Sequence, residues 1–302
     1  MLLAIPFPAI SPEIFSVDIG TFTFALRWYA LGYLAGIAIG WWIIARAIAK
    51  PALWRGDAPM TRPQLEDLAT WAIVGIVLGG RLGYVLFYDP AYFIENPLDI
   101  LKVWTGGMSF HGGFLGIIAI TWLFARKHGI AVAKLADLMA IAAPIGIGLV
   151  RVTNFINAEL WGRPTTAPWG VIFPGDAAQT CPAWDAALGA CARHPSQLYE
   201  AILEGLVLAA ILLTLAFRRG WLKRPGMLTG LFFLGYGLAR FTVEFFRQAD
   251  AQFITFDNPL GHVIQFGNWG LTMGQTLTLP MIAIGIVTLV WAAQRTPRTS
   301  AP

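Results

Sequence analysis

The sequence predicts an all-α integral membrane protein, a bundle of seven transmembrane helices. Its composition is 57% hydrophobic and only 13% charged, with 302 residues in all, whereas a soluble domain carries about 25% charge. The mean hydropathy is +0.62. Apolar runs of about 20 residues, long enough to cross a bilayer, recur along the chain, and basic residues cluster between alternate runs.

The predicted spans follow from those apolar runs. We expect them at residues 22–45, 65–87, 109–125, 135–156, 197–217, 227–246 and 273–293. The third is short, and its outer end is rich in glycine. Nothing in the sequence indicates a separate soluble domain, so residues 1–302 are expected to form a single membrane domain.

Basic residues set the orientation of the spans. Most of the 21 lysines and arginines fall on one side of the predicted membrane. They are Arg46, Lys50, Arg55, Arg62, Arg126, Lys127, Lys134, Arg218, Arg219, Lys223, Arg224, Arg295 and Arg298. The positive-inside rule therefore places the N-terminus outside and the C-terminus in the cytoplasm. The net charge of +4 reflects topology, and we expect no nucleic-acid partner.

The segment 157–196 is the larger of two polar segments on the opposite side. It is too polar to span a membrane and is expected to form a small external loop region that caps the bundle. Cys181 and Cys191 lie in it, on the oxidising side, where a disulfide can form; free cysteines are the equal alternative. The chain has no Cys/His cluster with metal-ligand spacing, and we expect neither a metal nor a cofactor.

Polar residues within the predicted spans fall at one depth, in the outer half. Arg81, Arg151 and Arg240 would each cost at least ~2.5–3.5 kcal/mol if left unpaired there. A shared polar cavity would remove that cost. The other polar residues placed at this depth include Tyr29, His111, Asn154, Gln197, Tyr199, Glu200, Tyr236, Glu244 and Arg247.

The sixth predicted helix carries a polar stripe with spacings of four, four and three residues. Its members are Tyr236, Arg240, Glu244 and Arg247. Such spacings place side chains on one helix face. Glu244 can pair with either arginine of the stripe, or with Arg81 or Arg151 on other helices. An ion-pair ladder that only holds helices together is the alternative.

Arginines and a histidine at one depth suit an anionic phosphate group. The guanidinium group is a planar fork that matches phosphate oxygens and stays charged when desolvated. His111 is a candidate general base because the pKa of histidine lies near working pH. A dyad of Ser109 with His111 is disfavoured, because the two side chains would point differently on a helix.

Five motifs together resemble one protein family. They are GGRLGYVLFYDP (79–90), GGMSFHGGFLG (106–116), RVTNFINAELWGRP (151–164), RHPSQLYEAILEG (193–205) and YGLARFTVEFFRQAD (236–250). Their content and order resemble the bacterial prolipoprotein diacylglyceryl transferases, and the likeness extends from residues 28–36 to the last span.

The resemblance implies an activity. Members of that family transfer the diacylglyceryl group of phosphatidylglycerol to the lipobox cysteine thiol of a prolipoprotein, with release of glycerol 1-phosphate and formation of a thioether. The implied partners are phosphatidylglycerol, the prolipoprotein signal peptide with its lipobox cysteine, and membrane lipids. The implied location is the bacterial cytoplasmic (inner) membrane, with the active-site cavity in the outer, periplasmic half.

The resemblance also implies roles for individual residues. The catalytic set is His111, Arg151, Arg240 and Tyr236. The set that binds phosphatidylglycerol is Arg151, Asn154, Arg240, Tyr29, Glu159 and Gly162, to which the depth of the charged residues adds Arg81, Glu244 and Arg247. An alternative function is a transporter or flippase for an anionic lipid that uses the same arginines without chemistry. It would need polar residues along the inner half as well, and these are sparse.

Overall fold

The computed structural model describes residues 4–20, 22–181, 189–267 and 269–295. The chain divides into two compact units: residues 1–40 together with 140–302 form the first, and residues 41–139 form the second. Both units are built mainly of helices. The arginine-bearing helices after residue 140 belong to the first unit, and Arg81 and His111 belong to the second.

Helices occupy the positions of all the predicted spans. They are α1 (Trp28–Ile48), α2 (Arg62–Phe87), α3 (Pro90–Glu95), α4 (Phe110–Lys127), α5 (Val132–Ile156), α6 (Asp176–Gln179), α7 (Ser196–Glu200), α8 (Leu208–Arg218), α9 (Met227–Val243) and α10 (Met273–Arg295). A π-helical stretch, Ala201–Val207, joins α7 to α8. Five helical segments within the described residues are long and apolar enough to cross a membrane: α1, α2, α5, Ser196–Arg218 and α10.

The two remaining predicted spans coincide with shorter helices. Helix α9 is apolar but has 17 residues, and α4 has 18 residues. The prediction of a mostly helical membrane protein is therefore confirmed. The count of seven spans and the orientation of the termini stay predictions.

In the part of the chain that the structure describes, short strands form three two-stranded sheets. The strands are β1 (Ile5–Pro6), β2 (Glu13–Ile19), β3 (Phe22–Arg27), β4 (Val171–Ile172), β5 (His262–Phe266) and β6 (Trp269–Thr272). The pair β1–β4 is parallel, and β2–β3 and β5–β6 are antiparallel hairpins.

The prediction that the first span begins at residue 22 is wrong. Residues 22–27 are strand β3, because their backbone groups pair with β2 along its length. At the open end of this hairpin Arg27 Nη2 lies 3.1 Å from Glu13 Oε1. The helix begins only at Trp28.

Glycines allow close helix packing within the first unit. A Cβ atom on Gly36 of α1 would lie 2.9 Å from the Cα of Gly146 in α5, and one on Gly230 of α9 would lie 2.8 Å from the nitrogen of Leu289 in α10. Real Cβ atoms essentially never come that close. Glycine in α1 therefore allows close packing against α5.

Glycines also allow close helix packing within the second unit. Gly79 and Gly83 of α2 face Gly112 and Gly116 of α4, and a Cβ on Gly83 would lie 2.7 Å from the Cα of Gly112. The glycines of α2 therefore pack directly against the glycines of α4. Helix α2 begins with a capping box in which Thr61 and Gln64 satisfy each other's backbone N–H groups.

The described residues of the segment 157–196 belong to the first unit. Cys181 and Cys191 form a disulfide with a Cα–Cα distance of 6.2 Å, which settles the open choice at these cysteines. A small apolar core around Phe173 includes Phe7, Phe155 and Trp161. Residues 182–188 of the segment lie outside the described residues.

Candidate active site

The site begins with a backbone contact between two helices of the first unit. A Cβ atom on Gly205, in the π-helical stretch, would lie 2.6 Å from the Cα of Gly148 in α5. One on Gly148 would lie 3.4 Å from the carbonyl oxygen of Ala201. Only glycine at both positions lets the backbones approach so closely. The contact places Arg151, about one turn beyond Gly148, beside the start of the facing helix.

Two fully buried carboxylates lie on that facing helix. The side chains of Glu200, the last residue of α7, and Glu204, in the π-helical stretch, are both 0% exposed. A π-helix has one more residue per hydrogen-bonded turn than an α-helix, and such stretches are frequent at functional sites. A buried carboxylate requires a cationic partner, and here the partners are arginines.

Arg151 and Arg240 share these two carboxylates. Arg151 Nε lies 3.2 Å from Glu200 Oε2 and 3.7 Å from Glu204 Oε2. Arg240 Nη1 donates a hydrogen bond to Glu200 Oε1 and lies 3.9 Å from Glu204 Oε1. Among the described residues, none accepts a hydrogen bond from the Nη groups of Arg151, whose side chain is 14% exposed. These donors are open to a ligand.

Glu244 extends the cluster at the end of α9. It pairs with Arg240, and its Oε1 lies 3.4 Å from Arg247 Nη1. Its Oε2 accepts a hydrogen bond of 2.9 Å from the Thr272 hydroxyl. Helix α10 starts beside this carboxylate, and a Cβ on Gly274 would collide with it. The partial positive charge of that helix N-terminus adds to the stabilisation of Glu244.

The predicted polar stripe differs at its outer end. Helix α9 ends at Val243, and Arg247 forms an isolated β-bridge with Gly162 after a short turn. Arg247 is therefore not a residue of the helix, contrary to the prediction. Its Nε still lies 3.9 Å from Glu200 Oε1, because the turn keeps the side chain on the side of the cluster.

A second polar network continues from the C-terminal end of α5. The Asn154 amide donates to the Tyr29 hydroxyl at 3.0 Å and to Glu159 Oε1 at 2.7 Å. Ala158 and Leu160 have φ values of 52° and 56°, a region that costs a residue with a Cβ roughly 1–3 kcal/mol. These two residues turn the chain so that Glu159 points back to Asn154.

Gly162 occupies a position that admits no side chain. A Cβ there would lie 2.5 Å from the carbonyl oxygen of Phe246 and 2.6 Å from that of His194. The Gly162 carbonyl accepts a hydrogen bond of 3.2 Å from Arg193. Gly162 thus connects the 157–196 segment to the chain beyond α9. The neighbouring Arg193 and His194 are largely withdrawn from water: burial lowers the pKa of Arg193 to about 10 and also lowers the pKa of His194.

Tyr236 lies one turn before Arg240 on α9. It is buried, and its ring stacks on that of Phe232. The hydroxyl interacts electrostatically with Glu204 and Arg151. The structure therefore brings Tyr236 into the arginine–glutamate cluster.

Arg81 and His111 lie in the second unit. The Arg81 guanidinium donates to four backbone carbonyls of residues 99–107: Nε to Ile100 at 2.9 Å, Nη1 to Gly106 and Gly107 at 2.7 and 3.1 Å, and Nη2 to Asp99. His111 is in the first turn of α4, two residues after the N-cap Ser109. The predicted roles of both residues stay predictions.

Comparison with known proteins gives the family. The family model described as prolipoprotein diacylglyceryl transferase matches residues 16–291. The chain belongs to that family. A phosphatidylglycerol–prolipoprotein diacylglyceryl transferase of Cereibacter sphaeroides is 61% identical over 282 residues, which are 93% of this chain and 96% of the relative. Relatives of the same name are 58% identical over 287 residues in Roseobacter denitrificans (95% and 97% of the two chains) and 47% over 299 residues in Brucella anthropi (99% and 96%).

As a member of this family, the protein is an enzyme, a diacylglyceryl transferase. The sequence analysis assigns no role to two of the site's acidic residues: it includes Glu200 among the polar residues of the spans, and it does not single out Glu204. The signal was present, because two carboxylates four residues apart in an apolar helix share a face and need a cationic partner.

The cluster in this transferase can hold an anion at a fixed place. Carboxylates contact Arg151 through its Nε, and the side chain is 14% exposed, so its Nη donors can serve a ligand. A guanidinium held in this way binds phosphate oxygens with little loss of side-chain entropy. It also stabilises negative charge that develops on the phosphate during a reaction.

Proposed function

We propose that the protein transfers the diacylglyceryl group of phosphatidylglycerol to the lipobox cysteine thiol of a prolipoprotein. The thiolate sulfur attacks the glyceryl carbon that carries the phosphate. The carbon–oxygen bond breaks, its electron pair stays on the phosphate oxygen, and a thioether and glycerol 1-phosphate result. This would be the first step in lipoprotein maturation.

One observation carries the proposal: a relative named for this reaction is 61% identical over 93% of the chain. The cluster supports it independently. Arg151 and Arg240 are 14% and 11% exposed, so both are largely withdrawn from water. Arginines in such surroundings interact strongly with a phosphate group, because a desolvated electrostatic interaction is worth more than one in water.

The roles we propose follow the chemistry. Arg151 and Arg240 bind the phosphate and stabilise the charge that it gains as the carbon–oxygen bond breaks. His111 accepts the thiol proton, since a cysteine with a pKa of about 8.5 must ionise to attack. Tyr236 completes the catalytic set. The other proposed contributors to the phosphatidylglycerol site are Tyr29, Arg81, Asn154, Glu159, Gly162, Glu244 and Arg247.

The proposal includes a place in the cell. The protein is a single membrane domain that crosses the bacterial cytoplasmic (inner) membrane seven times, with its N-terminus outside and its C-terminus in the cytoplasm. The cavity opens in the outer, periplasmic half, and residues 157–196 cap it from outside. The basic loops between alternate helices support this orientation. Membrane lipids surround the spans.

Transfer and transport predict different products. A transporter for an anionic lipid would leave a cysteine peptide unchanged, and the names of the relatives favour transfer. The test uses the full chain purified in detergent, phosphatidylglycerol and a synthetic lipobox peptide, with mass spectrometry of the peptide. We expect a mass gain of one diacylglyceryl group, and none when serine replaces the peptide cysteine.

Variants connect the result to the cluster. Arg240→Ala is expected to abolish the mass gain while the protein still inserts in the membrane, and Arg219→Ala, which changes an exposed arginine after α8, is the matched control. Full activity of Arg240→Ala would contradict the head-group role. An unmodified peptide with the wild-type protein, together with movement of phosphatidylglycerol across vesicle bilayers, would favour the transporter.

A further inference from the structure

The cluster of three arginines and three glutamates has a formal net charge of zero. Its members are Arg151, Arg240, Arg247, Glu200, Glu204 and Glu244. All are largely buried, with side-chain exposures from 0% to 18%. An anion that enters this cluster adds a negative charge to a neutral, poorly hydrated group. Such a charge is costly unless another charge is neutralised at the same time.

The three carboxylates are not held equally. Glu244 has both a paired arginine and the Thr272 hydroxyl, and Glu200 has a close contact to Arg240 and one of 3.2 Å to Arg151. Glu204 has only contacts of 3.7 and 3.9 Å. No described residue donates a hydrogen bond to either of its buried oxygens. Of the three carboxylates, Glu204 therefore loses the least interaction energy when it is protonated.

Charged and titratable groups face Glu204 from each element that surrounds it. They are Arg151 on α5, Glu200 on α7, Arg240 and Tyr236 on α9, and Arg247 beyond α9. A bound phosphate would draw the arginines toward itself and leave Glu204 beside Glu200 with weaker compensation. Two carboxylates that share one site favour the protonated form of one of them.

We propose that Glu204 takes up a proton from solvent when an anionic phosphodiester binds the cluster. The proton bonds to a carboxylate oxygen of Glu204, no other bond changes, and the charge of the occupied site returns to zero. This inference rests on the proposed function, because it requires that the cluster bind the head group. It makes Glu204 a charge-compensating residue that acts through the arginines, separate from the group that accepts the thiol proton.

Proton uptake on binding is directly measurable. The full chain in detergent is titrated with dioctanoyl phosphatidylglycerol by isothermal titration calorimetry, in two buffers of different ionisation enthalpy, with neutral dioctanoylglycerol as the control probe. We expect uptake approaching about one proton per bound lipid, and an affinity that falls by up to about tenfold per pH unit as the pH rises above the pKa of Glu204 in the free protein.

Variants test whether Glu204 is the residue that takes up the proton. Glu204→Gln is expected to bind without uptake and with affinity independent of pH. Glu204→Asp keeps a carboxyl group and should retain uptake, as should Glu66→Gln, which changes an exposed residue of α2. The wild-type measurement does not depend on how well the glutamine variant folds.

The possible failures are distinguishable. Wild-type binding without proton uptake would overturn this inference and leave the proposed function intact. Uptake unchanged in Glu204→Gln would overturn the assignment to Glu204. No binding of the anionic lipid to the wild-type protein would overturn the proposed head-group site, and the inference with it.

Discussion

Arg81 and Arg151 were predicted from the same argument, yet they are bound by different chemical groups. Arg81 donates to four backbone carbonyls, and every nitrogen of its guanidinium has a partner. Arg151 is fixed through Nε to carboxylates. Carbonyls contact all three guanidinium nitrogens of Arg81, whereas the carboxylates of Glu200 and Glu204 contact Arg151 at Nε.

The difference separates two uses of a buried arginine. Carbonyl dipoles leave a net positive charge in place but take up four of the five N–H donors, so Arg81 organises residues 99–107. Carboxylates neutralise the charge of Arg151 but leave donors for a further oxygen ligand. The cost of burying a charge predicts only that an arginine has partners. The type of partner indicates whether the arginine can also bind a ligand.

The largest effect expected from this comparison is on catalysis at Arg151. Arg151→Lys keeps the charge but loses the planar fork. We expect transfer to the lipobox peptide to fall by about 100-fold or more, as when one donor is removed from a transition-state site. The value of kcat/KM for the peptide measures it, with Arg219→Lys as the control. Near wild-type transfer in Arg151→Lys would show that the fork is not used.

A smaller effect, mainly on stability, is expected from the same change at Arg81. An ammonium group cannot reach four carbonyls at once, and a carbonyl that is left without a partner and shielded from water costs about 1–3 kcal/mol. Arg81→Lys should therefore lower the melting temperature in detergent more than Arg151→Lys does. Arg55→Lys, on the exposed segment before α2, is the control. An unchanged melting temperature would contradict a structural role of these bonds.

The smallest effect concerns the glycine contacts that support the two regions. Gly205→Ala and Gly75→Ala each introduce a Cβ atom in the range of 2.5–2.6 Å from a neighbouring atom, and each should cost ~1–3 kcal/mol through overpacking. Only Gly205→Ala separates Glu204 from Arg151. We therefore expect a lower kcat in that variant at equal loss of stability, compared by activity per folded molecule. Equal kcat in both variants would contradict a role of the Gly205 contact in placing Glu204 beside Arg151.

Much of the fold could be predicted because each span is determined locally. An apolar run that crosses a membrane is long and continuous, and helices such as α5 and α10 lie within a few residues of their predicted bounds. Residues 22–27 are the exception: they read as apolar, but their backbone groups pair with Glu13–Ile19 in a hairpin. Apolar composition does not distinguish a strand from the first turns of a helix.

The site could be predicted only in part. The cost of a buried charge predicted that Arg151 and Arg240 have partners, and both contact the same carboxylates. The π-helical stretch that carries Glu204 leaves no signature in residue spacing. The bond from Arg163 to the Arg247 carbonyl spans 84 residues, so no pattern in a single sequence indicates it.

One hydroxyl serves both a helix and the cluster. Thr272 donates to Glu244 while its oxygen accepts from the N–H of Gln275, and its own N–H donates to the Gln275 side chain. The first turn of α10 and the carboxylate that holds Arg240 therefore form cooperatively: fraying that helix end releases Glu244. Substitution at this position is correspondingly restricted, because among the other short side chains only serine offers a hydroxyl, which is a strong donor and acceptor on one atom.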